Sequence, residues 1–167
     1  MKSKVHLQKI ENYSLDKIES FVRDALSIID EKGALFSSGQ KVLLKPNLLR
    51  GFSPENCVTT NPIVVESVCR LLKDYSVGQI TISDSPALGS LEAVASKAGY
   101  DPLKKKYGVK IVPLTDPIPF ESEEGIPHLK IAGCLQEFDR IINLPKVKSH
   151  CQMTMTLATK NLFGLVI

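Results

Sequence analysis

Three short apolar runs, KVLLK (Lys41–Lys45), QITIS (Gln79–Ser83) and RIINL (Arg140–Leu144), punctuate a chain whose intervening segments carry helical hydrophobic spacing. Short runs rich in Val, Ile and Leu and bounded by turn formers read as buried strands, too short for buried helices. Before the first of them, Leu15, Ile18, Phe21, Val22, Ala25, Ile28 and Ile29 fall on one helical face, which predicts a helix from Ser14 to about Lys32 with Gly33 at its C-terminal cap. Asn61-Pro62 combines a good N-cap with the residue favoured at the first helical position, so a helix starts there. Ser90 is expected to cap a helix through Lys97, and Asp101-Pro102 to open a short one up to Tyr107. Strand–helix alternation of this kind predicts an α/β fold, an open and mostly parallel sheet with helices on both faces, Rossmann-like and three-layered. Right-handed crossovers put the carboxyl ends of all its strands on one side.

The remaining segments are weaker. Val5–Ile10 alternates apolar and polar residues and is expected to be a first strand, with His6 near its start. Lys110–Leu114 contains Pro113, so it is expected at an edge or to end early. Asp116–Pro127, with three prolines and four acids, reads as a surface loop, followed by a short strand over Leu129–Ala132 that places His128, like His6, away from the strand carboxyl ends.

Composition narrows the function. With 167 residues, 43% hydrophobic and 23% charged, one ordinary folded domain is expected over 1–167. A net charge of +3 and the lack of tryptophan give no support for nucleic-acid binding. No apolar run approaches ~18 residues, so no membrane span is expected. The N-terminus lacks the apolar core of a signal peptide, and Cys57, Cys69, Cys134 and Cys151 are scattered without C-x-x-C spacing. These features point to reduced thiols, a cytoplasmic location and no metal centre built from this chain. The apolar ending LFGLVI carries the expectation that the chain is the N-terminal part of a longer protein, with an incomplete domain, or that a homo-oligomer covers this end.

Three strands run into unusual polar sequence: Lys45-Pro46-Asn47, Asp84-Ser85-Pro86, and Asn143 through His150. In open α/β sheets, ligands bind beyond the carboxyl ends of the strands. The helix start at Thr60-Asn61 would aim free N–H groups at the same side, which favours an anion. Within twenty residues after Asn143 come Lys146, Lys148, Ser149, His150, Lys160 and Asn161, costly groups to hold near a core. Met153 and Met155 alternate with Thr154 and Thr156, so this stretch is extended and folds back if His150 and Lys160 are to approach one another. No P-loop, G-x-G-x-x-G or G-x-S-x-G motif is present.

The blocks KVLLKPNLL, TTNPIVVESVCRLL, ITISDSPALG, IINLPKVKSH and TLATKNLFG resemble the domain-of-unknown-function family 362, from about Lys41 to Ile167. That resemblance implies an association with ferredoxin-like iron–sulfur domains, whose cluster would lie outside this chain, on a further domain or a partner protein. A fainter similarity, in the NP-x-x-V-V helix start and in a lysine ten residues after a histidine, is to the nickel-pincer lactate racemases. It implies His150 as acid–base and Lys160 as cofactor anchor, although TMTLAT stands where that family has glycines.

Together these readings predict a redox or racemase-like protein, not a hydrolase, that binds a small anionic substrate or cofactor. Lys45, Lys146, Lys148 and Lys160 supply positive charge. Asn47, Thr60, Asn61, Ser85 and Asn161 orient the ligand, and His150 and Asp84 are the acid–base candidates. The other reading is a non-catalytic module that docks a partner through Leu162, Phe163, Leu165 and Val166.

Overall fold

A computed structural model describes residues 4–30, 33–120 and 129–167. Its centre is a four-stranded parallel sheet of β1 (Lys41–Pro46), β2 (Gln79–Ile82), β3 (Lys110–Ile111) and β6 (Arg140–Leu144), in the order β3-β2-β1-β6. The register sets Leu44 beside Ile82 and Ile142, and Leu43 beside Thr81 and Ile141. Because side chains alternate, Val42, Leu44, Ile80, Ile82, Ile111, Ile142 and Leu144 share one face.

That face is covered by α1 (Leu15–Ile29), α2 (Pro62–Asp74), α3 (Leu91–Lys97) and α4 (Asp101–Tyr107). Val65, Val68, Leu72, Val94, Ala95 and Leu103 meet the strand residues in one core. Fully burying each of the larger side chains stabilises the fold by about 1.5–3 kcal/mol. The opposite face bears Leu43, Lys45, Thr81 and Ser83. It is met by the 3-10 turn Gly133–Glu137 and by the short helix α5 (Ala158–Leu162). The α/β sheet with helices on both faces is therefore as the sequence pattern predicts.

Local chemistry explains the element ends. Asn61 Oδ1 accepts from the Ile63 N–H at 3.0 Å, and Ser90 Oγ from the Ala93 N–H at 3.3 Å, so both expected caps are made. α4 stops at Gly108, whose φ of +65° is a left-handed cap open to glycine without strain. α1 ends three residues earlier than its periodicity suggests. The Asp30 carboxylate accepts from the Ala34 and Leu35 N–H groups, which turns the chain before Gly33 can cap the helix. β3 is a two-residue edge strand, closed off ahead of Pro113.

Two small hairpins complete the chain: β4 (Pro117–Pro119) with β5 (Lys130–Ala132), and β7 (Lys148–His150) with β8 (Thr154–Thr156). The first replaces part of the expected surface loop. His128 lies outside the described residues. The expected strand over Val5–Ile10 does not form. Val5 and Leu7 are exposed, while the His6 ring stacks on Phe21 of α1 with centroids 5.0 Å apart. The alternation there does not mark a covered apolar face: the segment lies on α1 through His6 and leaves Val5 and Leu7 in solvent.

α1 and α2 are joined by Glu19, which accepts from Arg23 and Arg70; α2 and α4 by Glu66, which accepts from Lys106 and Tyr107. The Arg23 and Arg70 hydrogen bonds hold the Glu19 carboxyl below its usual range. For Glu66, burial pushes upward, but Lys106 and Tyr107 outweigh it and the net direction is down. A depressed carboxyl pKa contributes stability that is present above the unfolded value and lost as pH falls through the folded one. Urea unfolding should therefore show stability falling as pH drops below about 4.5, the ordinary value of both groups, and a Glu19→Gln, Glu66→Gln double variant should show a flatter dependence.

Candidate functional site

The carboxyl ends of β1, β2 and β6 converge on a buried polar cluster. Lys45, the last lysine of β1, is 0% exposed, and Asp84, two residues past β2, is 5% exposed. Lys45 Nζ donates to Asp84 Oδ1 at 2.6 Å, and Asp84 Oδ2 accepts from the Leu48 N–H at 2.7 Å. Burial lowers the Lys45 pKa; the Asp84 charge and hydrogen bond oppose it, and the nearby Lys160 charge adds to the lowering. The pair thus fixes the turn after β1 to the turn after β2.

Gly164 lies directly against this pair. A Cβ there would sit 2.6 Å from Asp84 Oδ1 and 2.9 Å from Lys45 Nζ, distances that no side chain tolerates without displacement. Glycine is required here by contact, not by backbone conformation.

A second layer links β1, β6 and α5. Asn161 is 2% exposed. Its Nδ2 donates to Asn143 Oδ1 at 2.8 Å and to the Lys45 carbonyl at 3.2 Å. Its Oδ1 accepts from Asn47 Nδ2 at 2.9 Å. Asn47 Oδ1 in turn accepts from Lys148 Nζ at 2.7 Å, and the same ammonium donates to the Val58 carbonyl at 2.7 Å. Thr60 ties the loop to the sheet, accepting from the Asn47 N–H and donating to the Leu144 carbonyl. The Tyr100 hydroxyl, fully buried, donates to the Thr60 carbonyl, and burial pushes its pKa well up, so it stays neutral.

Among the described residues, Lys148 has no carboxylate hydrogen-bond partner. Half-buried and held by two neutral oxygens, it has its pKa lowered chiefly by burial, with the Asp84 charge opposing and Lys146 adding to the effect. It forms one wall of an open groove of about 610 Å³ shared with Arg50, Asn56, Cys57 and Ser149. Leu49, Val58 and Leu88 give the groove an apolar floor. Arg50 has its guanidinium 4.5 Å over the Phe52 ring and makes no ion pair among the described residues.

Of the residues singled out from sequence, Lys45, Asn47, Thr60, Asp84, Lys148 and Asn161 are brought together. Asn61 lies next to them, with its side chain engaged in capping α2. Lys160 stacks over Phe163 at 4.7 Å, close enough for its charge to act on Lys45. Lys146 turns away to the Tyr13 hydroxyl at the start of α1. Ser85 is exposed beside the ion pair. His150 sits at the tip of the β7–β8 hairpin, where its Nδ1 accepts from the Gln152 and Met153 N–H groups. Those bonds put the proton of the neutral ring on Nε2. Arg50 is the residue that sequence reading missed; its signal was a lone cation in the loop just past a strand end.

Among the described residues, no cluster of three His, Cys, Asp or Glu is arranged to hold a metal ion, and no helix is long and apolar enough to cross a membrane.

A family described as "Domain of unknown function (DUF362)" matches residues 42–167, from the second residue of β1 onward. The chain belongs to that family. The thylakoid-associated protein sll1697 of Synechocystis sp. is 36% identical over 166 residues, a match that covers 99% of this chain and 51% of that relative. The chain thus spans about half the length of the curated relative it matches. No solved structure matches it.

Asp84→Ala leaves the buried Lys45 ammonium without its counter-charge and should cost about 3–5 kcal/mol in urea unfolding. A Lys45→Met, Asp84→Leu double variant should recover most of that loss, since neither charge is then buried alone.

Proposed function

We propose that this chain is a ligand-binding domain of an enzyme or redox protein, which takes a small anionic substrate or cofactor into the groove beyond the strand carboxyl ends. The observation that carries this reading is Lys148. An ammonium half withdrawn from water, hydrogen-bonded among the described residues only to an amide oxygen and a backbone carbonyl, is a positive charge that lacks a carboxylate in contact with it. Arg50, exposed and without an ion pair among the described residues, adds a second positive charge on the same groove. Two buried hydroxyls support the reading. Thr59 Oγ1 and Thr156 Oγ1, on residues 2% and 3% exposed, have no hydrogen-bond partner among the described residues. Thr59 follows the carbonyl that holds Lys148, and Thr156 is the cross-strand partner of Lys148. A buried hydroxyl left unpaired costs about 1–3 kcal/mol, so both are groups that gain from a partner.

In this reading Asp84 does not exchange protons with the ligand. Its two oxygens are engaged by Lys45 and Leu48, and it acts as a positioning residue. His150, oriented by its turn and presenting Nε2, is the acid–base group. The iron–sulfur partner implied by the family resemblance would supply electrons from outside this chain.

Titration calorimetry with inorganic phosphate, and separately with a small organic carboxylate, tests the binding. Lys148→Met and Arg50→Met should each weaken the preferred anion about 10- to 100-fold, the range of a charge-assisted hydrogen bond. Affinity should also fall as pH rises towards 10.5, because Lys148 loses its proton below that ordinary lysine value. Equal affinity for all three proteins, or no pH dependence, would rule the reading out.

Partner docking has one observation in its favour: Leu162 and Phe163 are 41% and 58% exposed, immediately beyond the buried Asn161. The name of the Synechocystis relative, which records association with thylakoids, fits a docked protein as well as a free enzyme. A Phe163→Asp variant that binds anion normally but no longer joins its assembly would favour that reading.

A further inference from the structure

The two edges of the parallel sheet are unlike. At one edge β3 is two residues long, carries Lys110 and is followed by Pro113. Shortness, charge and proline are the devices that keep an edge from pairing. At the other edge β6 has five residues, its central Ile141, Ile142 and Asn143 bear no charge, and no described strand pairs with its outer side. Ile141 is 41% exposed.

The backbone there is free to pair. The Ser83 and Gln79 N–H groups donate to the Leu44 and Gln40 carbonyls, so the even-numbered residues of β1 face β2 and Lys41, Leu43 and Lys45 face β6; with Leu43 set beside Ile141, the register turns Arg140, Ile142 and Leu144 towards β1. Alternation then turns the N–H and C=O of Ile141 and Asn143 outward. Alongside them runs an apolar trough of about 340 Å³ between α1 and β6, lined by Phe21, Leu26, Ile29, Ile141 and Leu144. Ile29 is 67% exposed. A strand laid on β6 would roof this trough.

Chain direction favours one source for such a strand. The steps from β1 to β2 to β3 move across the sheet with their helices on one face. A right-handed step in the opposite direction has to cross the other face. The return from β3 to β6 does so, since Cys134, Glu137 and Phe138 lie over Thr81 and Ser83. The chain after β6 again takes that face, where Asn161 of α5 reaches Asn143 and Gly164 reaches Lys45. A right-handed crossover along this path delivers its next strand to the outer side of β6. The relative, of which this chain matches 51%, has about as much sequence again from which to provide it.

We propose that β6 is an interior strand of the functional protein, paired on its outer side with a parallel strand from polypeptide that follows residue 167. That strand covers the trough beside α1.

Amide hydrogen exchange followed by NMR tests this, comparing residues 1–167 with the full-length gene product. Ile141, whose amide faces outward, should exchange freely in residues 1–167 and at least about 100-fold more slowly in the full-length protein, as a ladder position does. Fast exchange in both would overturn the proposal. So would protection in residues 1–167 that grows with protein concentration, since a second copy would then be the occupant. A gene that ends at Ile167 would overturn it outright.

Discussion

A lysine ammonium at the end of a central strand, wholly out of water, has an effective desolvation penalty of several kcal/mol. Here Asp84 meets it at 2.6 Å, and much else in the carboxyl-end architecture follows from that contact. Asp84 can reach Lys45 only if the chain leaves β2 toward β1, and its second oxygen then holds the Leu48 N–H. The loop after β1 is thereby set in place. Gly164 has to be glycine because its backbone closes over the pair. A buried pair of this kind is weak grounds for net stability, since an apolar replacement of similar volume is often as stable. Its consequence is positional: two strand ends and the last turn of the chain are registered on one point.

From that point the polar network spreads outward to the groove. Asn161 bridges β1 and β6 through Asn143 and passes its carbonyl to Asn47, and Asn47 orients Lys148. Each amide is used on both its oxygen and its nitrogen, which leaves the chain of contacts little freedom to rearrange. The cation that faces solvent is thus held by a structure whose deepest member is the ion pair. Fold and candidate site are continuous, and the groove is the open end of a buried network.

Much of the fold was legible in sequence because its signals are local. Asn61-Pro62 and Ser90 are caps whose chemistry acts within four residues, and the strands are apolar runs cut off by turn formers. Val5–Ile10 misled because its alternation implies a covered Val5 and Leu7, whereas both are exposed and it is His6, on the other side of the segment, that packs on Phe21 of α1. The cluster itself was half legible. Polar residues after strands mark a crevice in any parallel sheet, so Lys45, Asn47 and Asp84 could be placed together. Neighbouring residues were harder to separate. Lys146 and Lys148 look alike in sequence, yet one meets Tyr13 and the other Asn47. Lys160 and Asn161 are adjacent, but a helix turns them about 100° apart, so that only Asn161 points into the network. Arg50 escaped notice because a loop has no periodicity to mark which of its side chains will line a groove.

The central claim is that Lys148 is a fixed, partly desolvated cation facing an anion site, held there by Asn47. Direct NMR observation of the lysine side-chain 15Nζ groups tests this without altering the protein. Lys148 should give a resolved signal with slow proton exchange, distinct from the exposed lysines, and should shift as phosphate or carboxylate is added while the buried Lys45 signal barely moves. A Lys148 signal that merges with the exposed lysines, or one indifferent to both anions, would contradict the claim.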